Sequence, residues 1–197
     1  PKLLIMFKKL NYTKLLIFLS FNYFTYAQSN VIFLEKNCID NSLKNVSTFL
    51  QQNSSIYIDS VSEIIGSKNM LEYPVIIICG DNYLKLNDKQ INIIKEHLVF
   101  GNLLIIDNYK SDYTFTIFLE KILPDYTISS LSNDKIFKNY YEINFENIDF
   151  STKQIFINQQ LRVIGIKSKS ILREVENLEI DNIKFLSSII LNFLLGG

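Results

Sequence analysis

An α/β fold built as a three-layer sandwich with a mostly parallel sheet is what this sequence predicts, on three observations. Two short apolar runs, Val75–Cys79 and residues 103–106, flank a single stretch with helical spacing. Each run ends in a small or polar cluster, Cys79-Gly80-Asp81-Asn82 and Asp107-Asn108, as strands do where they leave a parallel sheet. The rest of the chain keeps the same rhythm of strand-like and helix-like segments, with no internal repeat and no linker. In such folds a site lies at the carboxyl ends of the strands.

Residues 31–34 read as a first strand. Asp40 or Asn41 then caps a helix with Leu43, Val46, Phe49 and Leu50 on its buried face. Residues 55–61 alternate as a second strand, and residues 62–71 are a weak helix or an irregular connection. Val75–Cys79 is continuously apolar and β-branched, which suits a strand covered on both faces. Asn87 with Gln90 three residues on has capping-box spacing. Ile91, Ile94 and Leu98 follow as a stripe, and Gly101 closes the helix. Residues 102–106 are the next strand. Phe115, Phe118, Leu119 and Ile122 mark a helix that stops before Pro124. Residues 127–150 lack periodicity and read as a long loop with short strands. Residues 154–158 and 161–166 form two more strands. Asp181 caps a final helix with Ile183, Leu186, Ile190, Phe193 and Leu194 inward, ended by Gly196 and Gly197.

The chain has 197 residues, with 20 basic and 20 acidic side chains. Zero net charge lacks the basic footprint of a nucleic-acid binder, so no nucleic-acid partner is expected. The excess of Ile, Asn and Lys reads as compositional bias, which makes any single Asn weak evidence for a site. Lys8, Lys9 and Lys14 precede an apolar run at residues 15–24, and Thr25-Tyr26-Ala27 sets small residues before Gln28. That is the layout of a secretory signal peptide over residues 1–27, with residues 1–5 reading as an upstream mis-start before Met6. The expected location is periplasmic or secreted, with membrane anchoring as the alternative if the segment stays uncleaved. Residues 28–197 then make one domain. Its two cysteines, Cys38 and Cys79, leave one disulfide arithmetically open. The reading preferred for Cys79 is a buried thiol that packs as a small apolar group.

The order of several segments carries a resemblance. YPVIIICG, FGNLLIIDN, FLEKILPDY, NDKIFKNYYEI, LRVIGI and the closing NFLLGG occur in succession. Over roughly residues 43–197 the chain resembles the bacterial family called domain of unknown function 4159. That resemblance implies a flavodoxin-like sandwich similar to class I glutamine amidotransferases, no established activity, and frequent export. Asp107, Phe115, Pro124 and Arg162 match its pattern. Asp134-Lys135 stands where the family often has His-Pro, and Asn102 stands where it tends to have a second Gly.

Amidotransferase chemistry needs a glycine-flanked Cys on a strand-to-helix turn, with a His and an acid nearby. Cys79 follows Ile78, and the single His97 falls near the far end of a helix, where a cation would favour the helix dipole. No G-x-S-x-G, P-loop, G-x-G-x-x-G or zinc spacing occurs, so no cofactor and no catalytic residue is expected. Asp81, Asp107 and Asp112 would bind a hard cation only if the strand ends gathered them. The candidate ligand-binding residues are Asp81, Asn82, Asp107, Asn108, Tyr109 and Arg162. Aromatic faces beside carboxylates and amides suit a carbohydrate or peptide. The leading expectation is a non-catalytic binding or assembly module of the cell envelope, whose partner is an envelope or membrane protein or such a ligand. The alternative is a hydrolase that uses Asp81 and Asp107.

Overall fold

The structure, a computed structural model, describes residues 31–38, 41–67, 70–125, 129–130, 141–143, 151–157, 160–167 and 169–195. The proposed signal segment, Asp40, most of the 127–150 loop and the closing glycines lie outside the described residues. Among the described residues seven strands form one sheet: β1 (Val31–Glu35), β2 (Asp59–Glu63), β3 (Val75–Cys79), β4 (Leu103–Tyr109), β5 (Ser129–Ser130), β6 (Ser151–Ile157) and β7 (Gln160–Lys167). Their spatial order is β2-β1-β3-β4-β7-β6-β5. The pairs from β2 through β7 are parallel, while β6 and β5 extend the sheet antiparallel. Counted among themselves, the five parallel strands run 2-1-3-4-5, the flavodoxin-like winding. Its direction reverses between β1 and β3, so a crevice is expected above their carboxyl ends.

Alternation along the buried strands builds the two outer layers. Ile32, Leu34, Val75, Ile77, Leu103 and Ile105 face α1 (Ser42–Ser54), α4 (Ile171–Glu176) and α5 (Ile180–Leu194). Phe33, Ile76, Ile78, Leu104 and Ile106 face α2 (Asp88–Val99) and α3 (Asp112–Ile122). Both faces are covered, which is why these strands read as apolar runs rather than as alternating patterns. α2 starts with the expected capping box: Asn87 accepts from the Gln90 amide, and Gln90 accepts from the Asn87 amide, both at 3.0 Å. Ser111 caps α3, accepting from the Thr114 amide.

Several elements differ from the sequence reading. The second strand is Asp59–Glu63, not residues 55–61. Ile58 is buried ahead of it, its carbonyl accepting from Ser47 of α1 at 2.6 Å. The apolar alternation thus packs on the helix, while polar Asp59–Glu63 takes the ladder at the sheet edge, with Asp59, Ser62 and Glu63 exposed. Gly80–Lys85 forms a 3₁₀ segment that the sequence did not signal. The six-residue α4 was also missed. Asn41 precedes α1 without a side-chain capping bond, and α5 begins at Ile180, so Asp181 lies inside its first turn rather than capping it. α5 also buries more than one stripe: Phe185, Ser187, Ser188 and Ile189 join the expected Ile183, Leu186 and Ile190.

Candidate functional site

β1 and β3 end side by side, and a covalent bond ties the two ends together. Cys38, three residues past β1, is disulfide-bonded to Cys79, the last residue of β3, with Cα atoms 5.4 Å apart. The free, packing thiol expected for Cys79 is therefore corrected. The sheet order makes β1 and β3 neighbours, which brings together two cysteines 41 residues apart. The bridge joins the two strand ends between which the winding reverses.

Asp107 lies beside this bridge, paired in register with Cys79. Its side chain is fully buried and points into the α4 layer. It accepts from the Ser170 hydroxyl at 2.6 Å and from the Ile171 and Leu172 amides at 2.8 and 3.4 Å. Ser170 in turn accepts from the Arg173 amide, so strand end and helix start are tied together. Burial pushes the Asp107 carboxyl up to about 6, against the lowering effect of its three donors. A carboxylate committed in this way anchors α4.

Tyr109 should share the Asp107 face, two residues along a strand. It does not, because β4 carries an extra residue. From Ile106 to Tyr109 it advances three positions while β7 advances two, from Gly165 to Lys167. Asn108 is that residue, at φ 60°, a left-handed conformation that Asn tolerates better than most residues. The bulge turns Tyr109 into the opposite layer, stacked on Phe115 with ring centroids 4.3 Å apart. Burial and the neighbouring Asp112 raise its phenol well above the usual tyrosine range. Its hydroxyl donates to Asp112 at 3.0 Å. Asp112 also pairs with Lys167 at 2.7 Å and Lys153 at 3.0 Å, which hold its carboxyl well below the ordinary range.

The remaining candidates separate further. Asp81 accepts from the Lys110 amide at 3.3 Å. Arg162 sits at the opposite end of the strands, where its guanidinium donates to the Gly101 carbonyl. It belongs to the amino edge of the sheet, not to the site. His97 is buried rather than a solvated cation: Nε2–H donates to the Leu103 carbonyl at 3.1 Å, and Nδ1 accepts from Asn102 at 3.4 Å. Burial lowers it to about 4, so the ring is neutral at pH 7. Asp81, Asp107 and Asp112 are each engaged separately. Among the described residues no group of three or more His, Cys, Asp or Glu side chains is placed to hold a metal ion.

Asn82 leads to residues that the sequence reading missed. Its amide donates to Glu35 at 3.0 Å, and its carbonyl accepts from Lys85 at 3.1 Å. Glu35 ends β1, is 8% exposed, and takes a second bond from Asn37 at 2.6 Å. These side chains and Gln90 line a cavity of 170 Å³. Nothing local in the sequence marks Glu35, since an acid at a strand end is ordinary. Its burial comes from the 3₁₀ segment that folds over it.

A mostly parallel sheet whose parallel strands wind 2-1-3-4-5 between two helical layers, with a cavity at its reversal point, defines the chain as a flavodoxin-ordered α/β sandwich. The chain belongs to the family described as Domain of unknown function (DUF4159), which it matches over residues 30–174. No curated protein and no solved structure matches it.

Proposed function

We propose that this protein is a non-catalytic binding module, exported by a bacterium and working in its cell envelope on an amidotransferase-like framework. The observation that carries this reading is how the strand-end groups are used. Cys79 is bonded to Cys38, Asp107 anchors α4, and His97 is buried beside β4 at the other end of the sheet. The groups that an amidotransferase would use as nucleophile, base and acid all hold the fold instead. The disulfide supports an oxidising compartment, as does the signal-peptide layout of residues 1–27. The partner is an envelope protein or a small polar ligand held at the carboxyl edge.

Two measurements test this. Thiol alkylation of the protein taken directly from the cell envelope should find both cysteines blocked until a reductant is added. Hydrolysis assays with peptide, ester and glycoside substrates should show no turnover that depends on Asp81, Asp107, Cys79 or His97. Turnover abolished by Asp81→Asn, Asp107→Asn, Cys79→Ala or His97→Ala, with the melting transition retained, would replace the binding reading by an enzymatic one.

A further inference from the structure

We infer that the cavity at the winding reversal binds a small zwitterion carrying an ammonium and a carboxylate, as a free amino acid does. The inference rests on the binding-module reading and names the ligand class for it. The cavity lies above the carboxyl end of β1, between the 3₁₀ segment Gly80–Lys85 and the start of α2; its polar lining is Glu35, Asn37, Asn82, Lys85 and Gln90, and Ile64, Ile65 and Leu86 complete it. Its 170 Å³ is below the roughly 300 Å³ at which sites for drug-sized ligands begin, so it suits a small metabolite.

The charge pattern selects the ligand. Glu35 is 8% exposed, and its two amide donors use about two of the four positions at which a carboxylate accepts. The others suit a ligand ammonium. Lys85 stands at the exposed rim, one amide away: Asn82 donates to Glu35 and accepts from Lys85, so a negative and a positive group are held at fixed separation. A simple cation would meet Lys85, and a simple anion would meet Glu35. A molecule with both charges satisfies each. Ile65 gives an apolar wall for a small side chain. The Cys38–Cys79 bond immediately follows Asn37 and restrains its loop, so the Glu35–Asn37 pair is set before ligand arrives.

The test is calorimetric titration of the full chain with L-alanine, L-alanine methyl ester and N-acetyl-L-alanine, each also followed by NMR of the side-chain amides. L-Alanine should bind and shift the Asn82 and Gln90 amide signals. The ester and the N-acetyl compound should each bind about tenfold or more weakly, the loss of one charge-assisted hydrogen bond. Glu35→Gln and Lys85→Met should weaken L-alanine binding by a similar factor. Lys85 is exposed, so its variant reports on binding even if the Glu35 change disturbs folding. Absence of L-alanine binding, binding of either blocked compound as tight as that of L-alanine, or indifference to Lys85→Met overturns the inference. If no zwitterion binds yet the hydrolysis assays show no turnover that depends on the strand-end residues, the binding-module reading stands without this ligand.

Discussion

Asp107→Asn isolates the cost of burying one carboxylate. In the folded chain this group titrates at about 6 instead of 3.8, because burial outweighs its three hydrogen-bond donors. An acid with a raised folded pKa binds its proton more tightly when folded than when unfolded. Its contribution is therefore fully present below pH 4 and is lost as the pH rises through 6. A shift of about two units corresponds to about 3 kcal/mol at ~1.36 kcal/mol per unit. At roughly 2–4 °C per kcal/mol for a chain of this size, that is about 6–12 °C in Tm. Asparagine has nearly the same shape and cannot ionise, so the variant escapes this loss. Tm of both proteins is measured from pH 4 to pH 8, and the wild-type minus variant difference is plotted. It should fall by the stated amount between pH 4 and 7. The titration of His97 runs through the same window with the opposite sign, but it is common to both proteins and cancels. A flat difference curve would refute the argument and mean that the Ser170, Ile171 and Leu172 donors fully compensate the buried charge.

Three further outcomes are expected. Breaking the Cys38–Cys79 bond by Cys38→Ser/Cys79→Ser releases a loop of 41 residues, worth about 4 kcal/mol by chain entropy. Melting with and without reductant checks this, and only the wild-type should respond to reductant. His97 is the single histidine, so its ring NMR signals need no assignment. They should stay those of the neutral ring from pH 8 down to 5, since the folded value is lowered to about 4, and a midpoint near 6.5 would contradict its burial. Its stabilising effect is present above pH 6.5 and lost as the pH falls towards 4. Gly165→Ala would place a methyl 2.4 Å from Phe115 Cζ and 3.0 Å from Tyr109 Cε1. Overpacking of this kind costs about 1–3 kcal/mol, read by urea unfolding.

Much of the frame was legible because local and global preferences agree. Val75–Cys79 and Leu103–Ile106 are apolar throughout because helices cover both faces, and Asn87 with Gln90 forms the box that its spacing announced. What escaped depends on contacts far apart in sequence. The Cys38–Cys79 pair follows from strand order, not from spacing. The bulge at Asn108 follows from how β7 registers with β4, and it separates Asp107 from Tyr109, two neighbours read as one site. α4 was missed because six residues carry too little periodicity to stand out, although Ser170 before Ile171-Leu172 is a usable capping signal in retrospect. Of the candidate ligand residues, Asn82 lines the cavity, while Glu35 enters only through the fold.

The short outer strand β2 has a consequence for how the molecule tolerates crowding. Among the described residues one side of its backbone has no strand beside it, and the strand reads Asp-Ser-Val-Ser-Glu with both charged ends exposed. A second extended chain approaching that border would have to desolvate Asp59 and Glu63, and would gain only Val61 and two serines as packing surface. Brevity and like charge are how sheet proteins avoid uncontrolled lateral growth. At this border a neighbour's strand finds little to join, so lateral sheet growth at high local concentration is disfavoured.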